Sequence, residues 1–149
     1  MLDRLSERLR TRLEDIGDFR RHTRAEQRRL AAALLGELLP LHERRRAEVA
    51  VFLDFVVTAR TNAAFAGLSR WAATGERALI RRILDGLDAG GALRPGRDLD
   101  AETERLASLL DGLSLAAVLH SNLCDAQRCA AALDAHLSDL LVADDRPVA

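Results

Sequence analysis

The stretch "SLLDGLSLAAVL", Ser108–Leu119, poses the question on which the fold turns. Asp111-Gly112 is a strong turn dipeptide, of the kind that joins two strands. The leucines around it nevertheless fall at helical spacing: Leu106, Leu109, Leu110 and Leu113, with Ala117 continuing the stripe. Glycine inside a helix costs about 1 kcal/mol relative to alanine. Either Asp111-Gly112 splits a helix, or the helix runs through and Gly112, having no side chain, lets another helix approach closely. The unbroken leucine spacing, and the small Ala116 and Ala117 one turn later, favour close packing.

Working outward, the 149-residue chain is long enough for one domain with a substantial core. Ala, Leu, Arg, Asp and Glu dominate, which favours helix, and 48% hydrophobic residues argue against disorder. All 22 basic residues are Arg. The net charge of −1 hides an asymmetry: residues 1–46 carry 12 Arg and 8 acids, whereas residues 98–149 carry 3 Arg and 10 acids. The basic end reads as a solvated helical face, being too weakly charged to define an anionic partner. No apolar run reaches membrane-spanning length, and the start "MLDRLSERLR" lacks the apolar core of a signal peptide. A cytoplasmic location with both cysteines reduced is expected.

Six helices are predicted. The first runs over about Leu2–Glu14, with Leu2, Leu5, Leu9 and Leu13 on one stripe, and "DIGDF" ends it. The second covers about Arg24–Leu39 and stops at Pro40. The third, about Glu43–Thr61, carries apolar residues over a wide arc and is expected to be central. Thr61 or Asn62 can cap the fourth, about Ala63–Ala89, which ends in the glycines of "AGGALRPG". The fifth starts near Asp98 or Asp100 and runs to about His120; the sixth covers about Asp125–Val142. No strand alternation, internal repeat or low-complexity segment is visible.

The segment "GGALRPGRDLDAETERLASLLDGLSLAAVL", Gly90–Leu119, resembles the C-terminal half of TetR-family transcriptional regulators, in the subgroup similar to the choline-responsive ones. The matching residues are Gly91, Leu93, Arg94, Pro95, Asp98, Asp111, Gly112 and Leu113. Upstream, "LLPLHERRRAEVAVFLDFVVTAR" resembles the family's Pro-ended helix, charged turn and hydrophobic helix, with Phe52 where the family tends to have Trp. The resemblance extends over about Leu2–Leu141. It implies an all-α six-helix bundle forming one effector-binding and dimerisation domain over residues 1–149. The family's helix-turn-helix head is not seen before the first helix, so DNA would be reached only through a missing N-terminal head. A fragment, a late start codon and a natural headless relative all fit this departure.

In the family the last two helices form a four-helix bundle with their mates. Transferred here, the homodimer interface comprises Leu106, Leu109, Leu110, Gly112, Leu113, Ala117, Leu133, Leu137 and Leu140; the plain alternative is that these stripes face the chain's own core. The family's pocket lies among the middle helices, which hold every aromatic residue here except Phe19. Phe52, Phe55, Phe65 and Trp71, with Arg60 as a polar orienting group, are therefore the ligand-binding candidates. Asp54 is a second polar group on the same helix. So few Trp and Tyr argue against an aromatic cage for a quaternary cation, which leaves the effector described as small and partly apolar.

His120, Cys124, Cys129 and His136 lack the tight paired spacing of a zinc site, so no metal is expected. No G-x-S-x-G, P-loop or G-x-G-x-x-G motif is present, and Glu7, Glu14 and Glu26 do not form the E-x-x-H pairs of a di-iron bundle. Neither enzymatic activity nor a cofactor is expected. The sequence thus points to the sensing and dimerising domain of a TetR-like regulator, a repressor by family habit. The rival reading is a helical homodimeric interaction module without a small-molecule ligand.

Overall fold

A computed structural model describes residues 2–143, with residues 2–6 described in backbone only. Six α-helices run in the order α1 (Leu2–Ile16), α2 (Arg24–Gly36), α3 (Glu43–Ala59), α4 (Ala63–Ala89), α5 (Leu99–Leu119) and α6 (Ala126–Leu140). The side chains of Leu2 and Leu5, expected on the α1 stripe, lie outside the described residues; Leu9 and Leu13 are buried.

The helix ends follow local chemistry. α1 stops at Gly17, which takes a positive φ of 65° that other residues rarely adopt. Asp18 then caps a one-turn 3-10 helix, Phe19–Arg21, by accepting from Arg20 N. A reciprocal capping box opens α2: Thr23 Oγ1 accepts from Glu26 N at 3.2 Å, and Glu26 Oε2 accepts from Thr23 N at 2.7 Å. α2 ends three residues earlier than predicted, at Gly36. Pro40 cannot donate to the Gly36 carbonyl four residues back, and its ring would clash there. Arg45 Nη1 donates to that carbonyl instead, at 2.7 Å. Asn62 caps α4 and Asp98 caps α5, as expected; Asp125 caps α6.

α5 is continuous through Asp111-Gly112. A Cβ built on Gly112 meets nothing within 4 Å, so among the described residues no helix of this chain passes beside it, and the expected close neighbour there is a helix of a second copy. The close approach occurs at Gly86 on α4, where a Cβ would lie 2.7 Å from Phe19 Cδ2.

The core sits at one end of the bundle. Ile80, Ile83, Leu84 and Leu87 of α4 meet Leu34 and Leu35 of α2, Leu106 and Leu110 of α5, and Leu137 and Leu140 of α6. Backbone pairing locks the end of α6 to the α4–α5 loop: Arg94 N donates to Leu140 O at 3.1 Å, and Val142 N to Ala92 O at 2.9 Å. α3 is not central, contrary to its apolar arc. Ala59 is its one fully buried residue, because the space that its inner face looks into is a cavity.

Candidate ligand cavity

Four helices and the turn after α2 wall a cavity of about 370 Å3. α1 contributes Leu9, Arg10 and Leu13; the turn after α2 contributes Glu37 and Leu38; α3 adds Arg45, Glu48, Val49, Phe52 and Leu53. From α4 come Trp71, Ala72, Gly75, Glu76, Ala78, Leu79 and Arg82, and from α5 Asp111 and Ser114. The space exists because α4 turns small residues inward. Ala72, Gly75 and Ala78 recur every three residues, and a Cβ on Gly75 would meet nothing within 4 Å.

One wall carries two carboxylates without partners. Among the described residues, neither Glu76 nor Asp111 has a hydrogen bond or an ion pair. The nearby cation, Arg77, is committed elsewhere: its Nε and Nη2 hold the two oxygens of Glu104 at 2.8 and 3.1 Å. Burial, reinforced by the charge of Asp111, pushes the Glu76 carboxyl up to about 7. Burial also raises Asp111, with Arg77 opposing.

The opposite wall is a charge hub. Glu37, its side chain 3% exposed, lies 2.8 Å from Arg12 Nη1 and 3.1 Å from Arg8 Nε, and also pairs with Arg45 Nη2. One carboxylate therefore binds α1 and α3 to the end of α2, at the rim of the cavity. An isolated buried charge is expensive, and three arginines around one glutamate remove that cost while fixing how α1 sits.

The ligand-binding candidates divide. Phe52 and Trp71 line the cavity, Trp71 being 52% exposed at its mouth. Phe55 and Phe65 do not line it; they form an aromatic row behind Phe52, with centroids 6.3 Å (Phe52–Phe55) and 5.7 Å (Phe55–Phe65) apart. Arg60 is the exposed C-cap of α3 and does not line the cavity, and Asp54 is also exposed. Glu76, Asp111 and Ser114 were missed. Glu76 carried a signal, as an acid on the stripe Ala72, Glu76, Leu79, Ile83 that otherwise faces inward.

The interface candidates divide as well. Leu106, Leu110, Ala117, Leu133, Leu137 and Leu140 lie in the chain's own core, between 0 and 3% exposed, so their surface is already covered. Leu109 and Leu113 are half-buried, and Gly112 is exposed. The apolar surface left open on α5 and the following turn is Leu115, Leu119 and Leu123. Cys124 and Cys129 come together, with Sγ atoms 3.4 Å apart, while among the described residues no three His, Cys, Asp or Glu side chains converge as a metal site.

The comparisons give the family: residues 26–142 match the C-terminal domain of BetI-type transcriptional repressors, and the chain belongs to that family. A crystal structure of a transcriptional regulator from Rhodococcus sp. Rha1 is similar at 25% identity and a TM-score of 0.73, covering 93% of this chain and 80% of that one. No curated protein matches. Among the described residues, no helix is long and apolar enough to cross a membrane.

Proposed function

We propose that this chain is the effector-binding and dimerisation domain of a TetR-like repressor, and that a small, partly apolar effector occupies the cavity. The cavity carries this reading: about 370 Å3 is within the range of small-molecule sites, and its walls are apolar with a few convergent polar groups. The effector's apolar part meets Phe52, Leu53 and Leu79, and its polar end meets Glu76 and Asp111. Carboxylates left unpaired and partly desolvated gain from a ligand that donates hydrogen bonds or carries positive charge.

Occupancy favours one position of α1, which touches the cavity through Leu9, Arg10 and Leu13 and is anchored by Glu37. In the family that α1 resembles, the corresponding helix follows the helix-turn-helix head, so a shift of α1 is the movement such a head would read. Dimerisation uses the outer faces of α5 and α6, with Leu109, Gly112, Leu113, Leu115 and Leu119 as the contact surface. The cavity favours this sensor reading over an interaction module with no ligand.

The experiment uses Nile red as an apolar probe and Trp71, the one Trp, as reporter. Binding is expected to quench Trp71 and brighten the dye. Gly75→Leu projects a side chain into the open space and should abolish both signals while leaving the helical circular dichroism intact. Equal dye binding by both proteins would overturn the assignment of the cavity.

A further inference from the structure

The two cysteines of the chain stand together at the junction of its last two helices. Cys124 is half-buried in the α5–α6 turn, directly before the N-cap Asp125, and Cys129 is fully buried in the second turn of α6. Their Sγ atoms are 3.4 Å apart, and Cys129 Sγ faces the Leu113 carbonyl of α5 at 3.9 Å. A disulfide requires about 2.05 Å, so the sulfurs must close by about 1.4 Å. Cys124 lies in a turn outside the helical ladder, where side-chain rotation and a small backbone adjustment supply that movement. No other thiol competes for either sulfur within the chain.

We propose that Cys124 and Cys129 are a modification site: a dithiol that a hydroperoxide converts to a reversible intramolecular disulfide. Exposure sets the order of events. Cys124 meets the oxidant first; its sulfur attacks the peroxide, an S–O bond forms, the O–O bond breaks, and water (or the alcohol of an organic peroxide) leaves. Cys129 then attacks the sulfenyl sulfur of Cys124. The S–S bond forms, the S–O bond breaks, and hydroxide departs with the Cys129 proton as water. The two sulfurs together give up two electrons, which reduce one peroxide. Burial and the neighbouring Cys124 push the Cys129 thiol up to about 12, so it is not the first to react; its resolving role rests on its sulfur lying 3.4 Å from Cys124 Sγ, and it attacks as its proton passes to the departing hydroxide. A dithiol reductant reverses the step by thiol–disulfide exchange.

The test treats the folded wild-type protein with hydrogen peroxide, alkylates remaining thiols after unfolding, and measures intact mass and the peptides. The expected result is simultaneous loss of both alkylation sites, recovery of the Cys124–Cys129 linked peptide, and restoration of both thiols by dithiothreitol. In Cys129→Ala, checked for helicity by circular dichroism, dimedone should trap Cys124 as the sulfenic acid. In Cys124→Ala, Cys129 should stay alkylatable. The proposal is overturned if wild-type Cys124 goes on to sulfinic acid while Cys129 remains free, if the only disulfides join separate chains, or if neither thiol reacts. Each result is read on the wild-type chain, so a variant that fails to fold does not rescue the proposal.

Discussion

Glu76→Gln should stabilise the protein at pH 8 and do little at pH 5. The Glu76 carboxyl titrates near 7 when folded, against an ordinary 4.5. Between those values the folded chain holds a proton that the unfolded chain has lost, so stability falls as pH rises through the window. At about 1.4 kcal/mol per pH unit, the full loss above pH 7 is roughly 3 kcal/mol. Glutamine keeps the shape and removes the charge, so at pH 8 the variant should gain up to that amount. For a chain of this length that corresponds to roughly 6–12 °C in Tm, and at pH 5 the gain should be under about 1 kcal/mol. Thermal unfolding followed by circular dichroism at the two pH values measures it. Asp111→Asn in the same series should recover part of the gain, because the charge of Asp111 is the second cause of the Glu76 shift. Equal Tm values for wild type and Glu76→Gln at pH 8 would refute the reasoning that a desolvated, unpaired carboxylate stands on the cavity wall.

Gly86→Ala should destabilise, because its Cβ would press on the Phe19 ring at 2.7 Å; overpacking of roughly 1–3 kcal/mol opposes a propensity gain of about 1 kcal/mol. Gly112→Ala, whose Cβ meets open space in the single chain, should raise the Tm of a monomeric sample. Gly112→Leu should weaken dimerisation in sedimentation over a concentration series if a second copy covers that face, and a dimer unaffected by leucine there would remove Gly112 from the interface. Glu37→Ala should lower stability, measured by urea unfolding, by less than the about 3–5 kcal/mol of a fully buried broken pair, because Arg45 loses its carboxylate while keeping the Gly36 carbonyl and Arg8 and Arg12 can turn to water.

The fold was legible because helix periodicity and caps are local. Leu106, Leu110 and Ala117 announced a helix that ran through Asp111-Gly112, and Asn62, Asp98 and Asp125 sit where their side chains satisfy the first free amides. Thr23 and Glu26, three apart at plain capping-box spacing, were equally readable and fix the start of α2. The cavity was not legible to the same degree. A stripe says which side of a helix is apolar, but not whether a neighbour or an empty space lies opposite. Thus α3 read as central although its inner face looks into the cavity, and Leu133, Leu137 and Leu140 read as a surface for a second copy although the chain consumes them in its own core. Phe55 and Phe65 are aromatic residues on the expected helices, but one turn or more along the row from the wall that Phe52 forms.

The lopsided core has a consequence for motion. At the end where α4 carries Ile80, Ile83, Leu84 and Leu87 the interior is solid, and its amides should exchange with solvent only when the whole chain opens. At the other end α3 has a single fully buried residue, and the first half of α4 is largely exposed, with Leu68 and Trp71 at 46 and 52%. There the helices lean on a hollow, so local opening costs less than global unfolding. The solid half should therefore outlast the hollow half in hydrogen exchange, and a molecule that fills the hollow should raise the protection of α3 towards that of the distal part of α4.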